Sequence, residues 1–141
     1  MKNVLFIVLI TLLVSCGTQK IVSYEYNVIA RGYKQSITVN KQNVEVTSND
    51  ISSENGVKRQ TSETDPELWK TLQEASKKIE LTEISALESP TNRRQFDGAM
   101  FAKLTLETLG STYNSAGFDH GQPPVMLKAV VDSLVRLGAT E

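Results

Sequence analysis

Side chains with chemical capacity gather in two stretches, Arg93-Arg94-Gln95-Phe96-Asp97-Gly98 and Phe118-Asp119-His120-Gly121-Gln122-Pro123-Pro124. His120 is the sole histidine, so it is the one side chain whose ordinary pKa puts a charge change near neutral pH. Asp119 beside it has the composition of an orienting pair for a general base, and Ser111, Thr112 and Ser115 are hydroxyls nearby in sequence. Adjacent residues usually diverge, however, and no Gly-x-Ser-x-Gly elbow occurs. A structural loop whose Asp119-His120-Gly121 side chains cap the last helix fits better, and no catalytic residue is assigned. One histidine and no free thiol do not build an ordinary zinc site, and Asp97, Asp119 and His120 supply at most a weak facial set, so neither metal nor cofactor is expected. Arg93 and Arg94 have the chemistry to hold an anion such as a lipid phosphate or a carboxylate, against the plainer reading of two solvated arginines. The candidate binding group is therefore Arg93, Arg94, Asp97, Asp119 and His120.

Strands and helices must position these loops. Val22, Tyr24, Tyr26, Val28 and Ala30 alternate with more polar neighbours, which predicts a strand. Turns at Arg31-Gly32 and at Asn40 to Asn43 separate it from segments carrying Ile37 and Val39, then Val44 and Val46, giving an antiparallel meander. Asn55-Gly56 has hairpin-turn composition, and Val57 to Ser62 reads equally as a polar edge strand or a solvated loop. Asp65-Pro66-Glu67 starts a helix: an acceptor at the N-cap, proline at the first position, and a carboxylate near the positive end of the dipole. Leu68, Trp69, Leu72, Ala75 and Ile79 make its apolar face, with Trp69 read as core rather than ligand-stacking. Leu81, Ile84 and Leu87 prolong that helix or form a separate turn before Ser89-Pro90. Met100, Ala102, Leu104 and Leu106 alternate as a further strand, Gly110-Ser111 reverses it, and Tyr113 begins a shorter return. Pro124 opens a last helix with Leu127, Val130, Val131, Leu134 and Leu137 on one face and Gly138 at its end. Pairing outward from Gly110-Ser111 puts His120 near Phe101 and Pro124 near Asp97, so both polar loops fall at one end of the sheet. The pattern predicts an α+β fold: an antiparallel sheet of about five to six strands with two helices on one face, and a wet face bearing Glu25, Asn27, Lys103, Thr105 and Glu107.

The chain opens with MKNVLFIVLITLLVSC. Lys2 is a positive flank, and Val4 to Val14 is an apolar run broken only by Thr11, which suits export and falls short of the roughly 20 residues that span a bilayer. Leu13-Val14-Ser15-Cys16 resembles the lipobox of bacterial lipoproteins. The resemblance implies cleavage before Cys16 and a diacylglyceryl thioether on its sulfur, with palmitate-type acyl chains that hold the mature protein on the membrane. Gly17 after the cysteine resembles the pattern sorted to the outer membrane, on its periplasmic side. The expected organisation is residues 1–15 signal peptide, 16–21 lipidated tether, and 22–141 a single domain.

Removing fifteen of 141 residues leaves 126, enough for one core. Lys2 leaves with them, so 14 Lys plus Arg face 16 Asp plus Glu, and no basic excess points to nucleic acid. Cys16 is the only cysteine, so once it is acylated packing alone holds the domain. These features point to a lipid-anchored, non-catalytic module that binds an envelope protein or polymer. The rivals are a small periplasmic hydrolase using His120, and a carrier of a small apolar ligand.

Overall fold

The computed structural model describes residues 19–54, 56–96 and 98–139. The signal segment and lipobox through Cys16, the tether residues Gly17 and Thr18, Asn55 and Asp97 lie outside the described residues. Seven strands form one antiparallel sheet: β1 (Ile21–Ala30), β2 (Tyr33–Asn40), β3 (Asn43–Asp50), β4 (Val57–Glu63), β5 (Phe101–Thr108), β6 (Thr112–Asn114) and β7 (Phe118–Asp119). Their order is β4-β3-β2-β1-β5-β6, with β7 also pairing to β5. Two helices, α1 (Pro66–Ser76) and α2 (Lys128–Gly138), complete the α+β architecture. Among the described residues no helix is long and apolar enough to cross a membrane.

Alternation decides which face is buried. Tyr24, Tyr26 and Val28 of β1, Ile37 and Val39 of β2, and Ala102, Leu104 and Leu106 of β5 are all nearly inaccessible and face the helices. A register shift between Ile21 and Ser23 lets Ile21 also face inward, where strict alternation would have placed Val22. On the opposite face, Thr61, Glu45, Thr38, Glu25, Thr105 and Asn114 lie side by side across six strands. Asn27 and Ser36 donate to Glu25, and Thr105 donates to Asn114. β4 is exposed along its whole length yet fully paired to β3, which resolves Val57–Ser62 as an edge strand. Its Lys58, Arg59 and Glu63 are the charges expected on an edge protected from further pairing. The connection from β3 to β4 spans residues 51–56, with Gly56 in the left-handed region at φ 48°; it is longer than a two-residue turn.

α1 starts as its sequence dictates: the Asp65 side chain accepts from the Glu67 N–H at 2.9 Å, and Pro66 needs no donor partner. It ends over β1, where Ser76 Oγ meets Tyr24 Oη at 2.9 Å and Trp69 meets the Tyr24 ring edge-on at 5.7 Å. Leu81–Ala86 is a separate 3₁₀ turn that buries Ile84 and packs against β6. α2 is preceded by a 3₁₀ turn, Val125–Leu127, and ends over β2. There Gly138 does not serve as a left-handed cap. A Cβ at that position would come within 2.8 Å of Ile37 Cδ1 and 3.0 Å of Gln35 Oε1, so its role is close helix–sheet approach.

Leu104→Ala, at the centre of the buried face, is expected to cost about 2–5 kcal/mol in urea unfolding. Lys103→Ala, one residue away on the open face, should stay within about 0.5 kcal/mol.

Candidate functional site

The two polar loops do meet at one end of the sheet. Counting strand pairs from the β5–β6 turn predicts His120 opposite Phe101; Asp119 takes that place, and the His120 N–H donates to the Met100 carbonyl at 2.8 Å. The displacement has two sources. The turn residues are Leu109-Gly110, with Thr108 N–H donating to Ser111 O, and the pairing shifts again between β6 and β7.

Asp119 and His120 diverge, as neighbours on extended backbone must. Phe118 and His120 turn toward the helix side, where both approach the Tyr26 ring, at 6.2 and 5.8 Å. His120 Nδ1 and Tyr26 Oη share a 3.0 Å hydrogen bond. Asp119 turns the other way and is 3 % exposed. Its carboxylate accepts from Thr91 Oγ1 at 2.5 Å, from the Arg93 and Arg94 N–H groups at 2.8 and 2.9 Å, and from Arg94 Nη1 at 3.3 Å. Those two N–H groups open the 3₁₀ turn Arg93–Gln95, so Asp119 is a cap supplied from another part of the chain. Neither it nor His120 caps the last helix, whose N-cap has no side-chain partner.

Arg94 is likewise committed inward. Its Nη1 also donates to the Thr91 carbonyl at 2.9 Å and to Ser89 Oγ at 3.3 Å, and its side chain is 17 % exposed. Of the expected anion-binding pair only Arg93 faces solvent. Beside it a shallow depression is lined by Asn92, Arg93, Phe96 and Ala99, and the Phe96 ring is 86 % exposed. Met100, Phe101 and Ile29 are also exposed at this end of the sheet; Ile29 and Phe101 are directly paired across β1 and β5. Among the described residues no buried side-chain polar atom lacks a partner, and no group of three acidic, histidine or cysteine side chains is placed to hold a metal.

The geometry does not assemble a triad. Asp119 is spent on the 91–94 segment, and His120 pairs with a phenol. Ser111 and Thr112 lie near the far end of β5, roughly 20 Å from Phe101 at strand rise. The Ser115 hydroxyl, which is buried, accepts from the Leu104 N–H at 3.0 Å. Sequence reasoning missed Tyr26 as the partner of His120, and Thr91 and Ser89 as partners of the loop. Tyr26 was legible only as a core-facing strand residue, and nothing in the sequence pairs Thr91 with a residue 28 positions away.

Burial alone would raise the Asp119 pKa, but hydrogen bonds from Thr91, the Arg94 and Arg93 backbones and the Arg94 guanidinium outweigh it and hold the carboxyl well below the usual range. Burial lowers the His120 pKa and pushes the Tyr26 phenol up to about 12, so ring and phenol both stay neutral at neutral pH. No known family model matches the chain, and none of the curated proteins compared with it matches either.

A folded pKa below the unfolded value gives Asp119 a stabilising contribution that is present above about pH 4 and is lost as pH falls through the folded value. Acid titration of urea stability should therefore show a shallower loss for Asp119→Asn than for the parent, and a lower stability for the variant at pH 7. The same linkage makes His120 cost stability as pH falls below about 6.5, because the unfolded chain takes up the proton first. Proton NMR of the single imidazole should give a midpoint below about 6.5 in the folded protein and near it in urea.

Proposed function

We propose that this chain is a lipid-anchored cell-envelope lipoprotein whose domain is a non-catalytic module binding an envelope protein. The lipobox resemblance at Leu13-Val14-Ser15-Cys16 supports the anchor, and Gly17 after the cysteine supports a periplasm-facing place on the outer membrane. One observation carries the binding role: the polar groups that would do chemistry are consumed in stiffening the loops, while an arginine and a phenylalanine are left outward. Asp119 accepts four hydrogen bonds and fixes the 91–94 segment on β7. On that fixed segment Arg93 stands exposed, with the exposed Phe96 two residues beyond its end and its N–H on the Arg93 carbonyl at 3.0 Å, and arginine and aromatic residues are the side chains that most often dominate protein interfaces. Met100, Phe101 and Ile29 are further exposed apolar side chains at the same end of the sheet. An enzyme built on His120 is the weaker reading, because the ring's Nδ1 is paired with the Tyr26 phenol and, among the described residues, the Ser115 hydroxyl is spent on the Leu104 N–H.

Cys16→Ala is expected to move the protein from the membrane to the soluble fraction; persistent membrane association of that variant would defeat the anchor. Affinity purification of the lipidated protein from crosslinked envelopes should recover a near-stoichiometric protein. Against that purified partner, Phe96→Asp should weaken binding about 30-fold with an unchanged melting temperature. Equal affinity of parent and variant would remove this surface from the proposal. His120→Gln should leave binding unaltered, whereas loss of a hydrolytic activity in that variant alone would favour the enzyme.

A further inference from the structure

The chain enters the fold at a pinned point. Tyr113 donates a hydrogen bond from its hydroxyl to the Gln19 side chain, and Gln73 Nε2 donates to the Ile21 carbonyl at 3.0 Å. A groove of about 560 Å³ opens there, with Ile21, Ile79, Leu81 and Tyr113 among its lining. Ile21 pairs with Thr108, so the β5–β6 turn projects at least one residue, roughly 3.3 Å, beyond the start of β1 at that end of the sheet. Leu109 stands at that tip and is 92 % exposed, the most exposed of the large apolar side chains described. Others of that kind, Ile51, Phe96 and Val125 among them, belong to the opposite end of the sheet.

We propose that Leu109 is a second membrane contact: the β5–β6 tip dips into the interfacial layer of the bilayer that holds the lipid on Cys16, docking the domain instead of leaving it to swing. This rests on the lipoprotein reading. The five residues from Cys16 to Ile21 span at most about 17 Å. The polar layer on one side of a bilayer is roughly 5–8 Å thick, so the start of β1 stays within about 10 Å of the headgroups, and the tip is at that same end of the sheet. Turn chemistry favours Gly, Asn, Asp or Ser at such a position, and a leucine there is exposed to water without compensation unless something apolar receives it. A lone surface leucine is ordinary elsewhere; its place beside the tether is what gives this one an occupant. Lys20, at the entry point, adds a cation for lipid phosphate, and the groove opens at the same end.

The test uses the acylated full-length protein in vesicles of phosphatidylethanolamine and phosphatidylglycerol. Acylated Cys16 is the only cysteine, so Leu109→Cys and, as control, Ile51→Cys each introduce a single free thiol for a nitroxide. The Leu109 label should collide more with oxygen than with an aqueous nickel chelate, and the Ile51 label the reverse. A Leu109 label as chelate-accessible as the Ile51 label, on protein that floats with the vesicles, would overturn the docking and leave the anchor standing. Failure of the unsubstituted protein to float would remove the anchor and the docking together.

Discussion

One sheet face held out of water by two short helices is the constraint on which the rest of this domain depends. Tyr24, Tyr26, Leu104 and Leu106 form its centre, with Leu72 of α1 and Val130, Val131 and Leu134 of α2 laid over them. α1 ends over β1 and α2 over β2. Each is 11 residues long, too short to be stable alone, so their helicity is a consequence of this burial. Gly138 shows how close the layers come, since one added carbon would meet Ile37.

Two tyrosines carry polar atoms into that layer, and the structure is arranged to receive them. The Tyr24 hydroxyl meets Ser76 and Gln73, which ties the end of α1 to β1. The Tyr26 hydroxyl meets His120, which ties the β7 loop to the same strand. Tyr24 and Tyr26 are thus internal fasteners, and either phenol left unbonded would be a costly buried group. Asp119 does the equivalent outside the core, holding a segment with little apolar content through charge-assisted hydrogen bonds.

The consequence is a division of labour between the two ends of the sheet. One end presents Arg93, Phe96 and Met100 on connecting segments and Phe101 at the start of β5. The other end takes in the chain beside Gln19 and carries the Leu109 tip. The open face between them is a regular polar surface of Thr, Ser, Asn and Glu side chains, bonded locally to one another.

The sequence by itself determined the fold class, most strand positions, the start of α1 and the apolar face of α2, because alternation, helical spacing and capping are local and each residue answers to its near neighbours. It also placed the two polar loops at one end, because antiparallel pairing propagates from a turn. It left β4 undecided, since a strand exposed on both faces has no apolar period to read. Only tertiary structure decided which partners Asp119 and His120 meet, that Arg94 is internal while Arg93 is free to solvent, and that Gly138 is a contact rather than a cap. Each of those outcomes depends on partners 25 to 103 positions away, as in Arg94 with Asp119 and Gln35 with Gly138. Local chemistry carries no record of such distances; packing of the sheet against its helices brings the partners together.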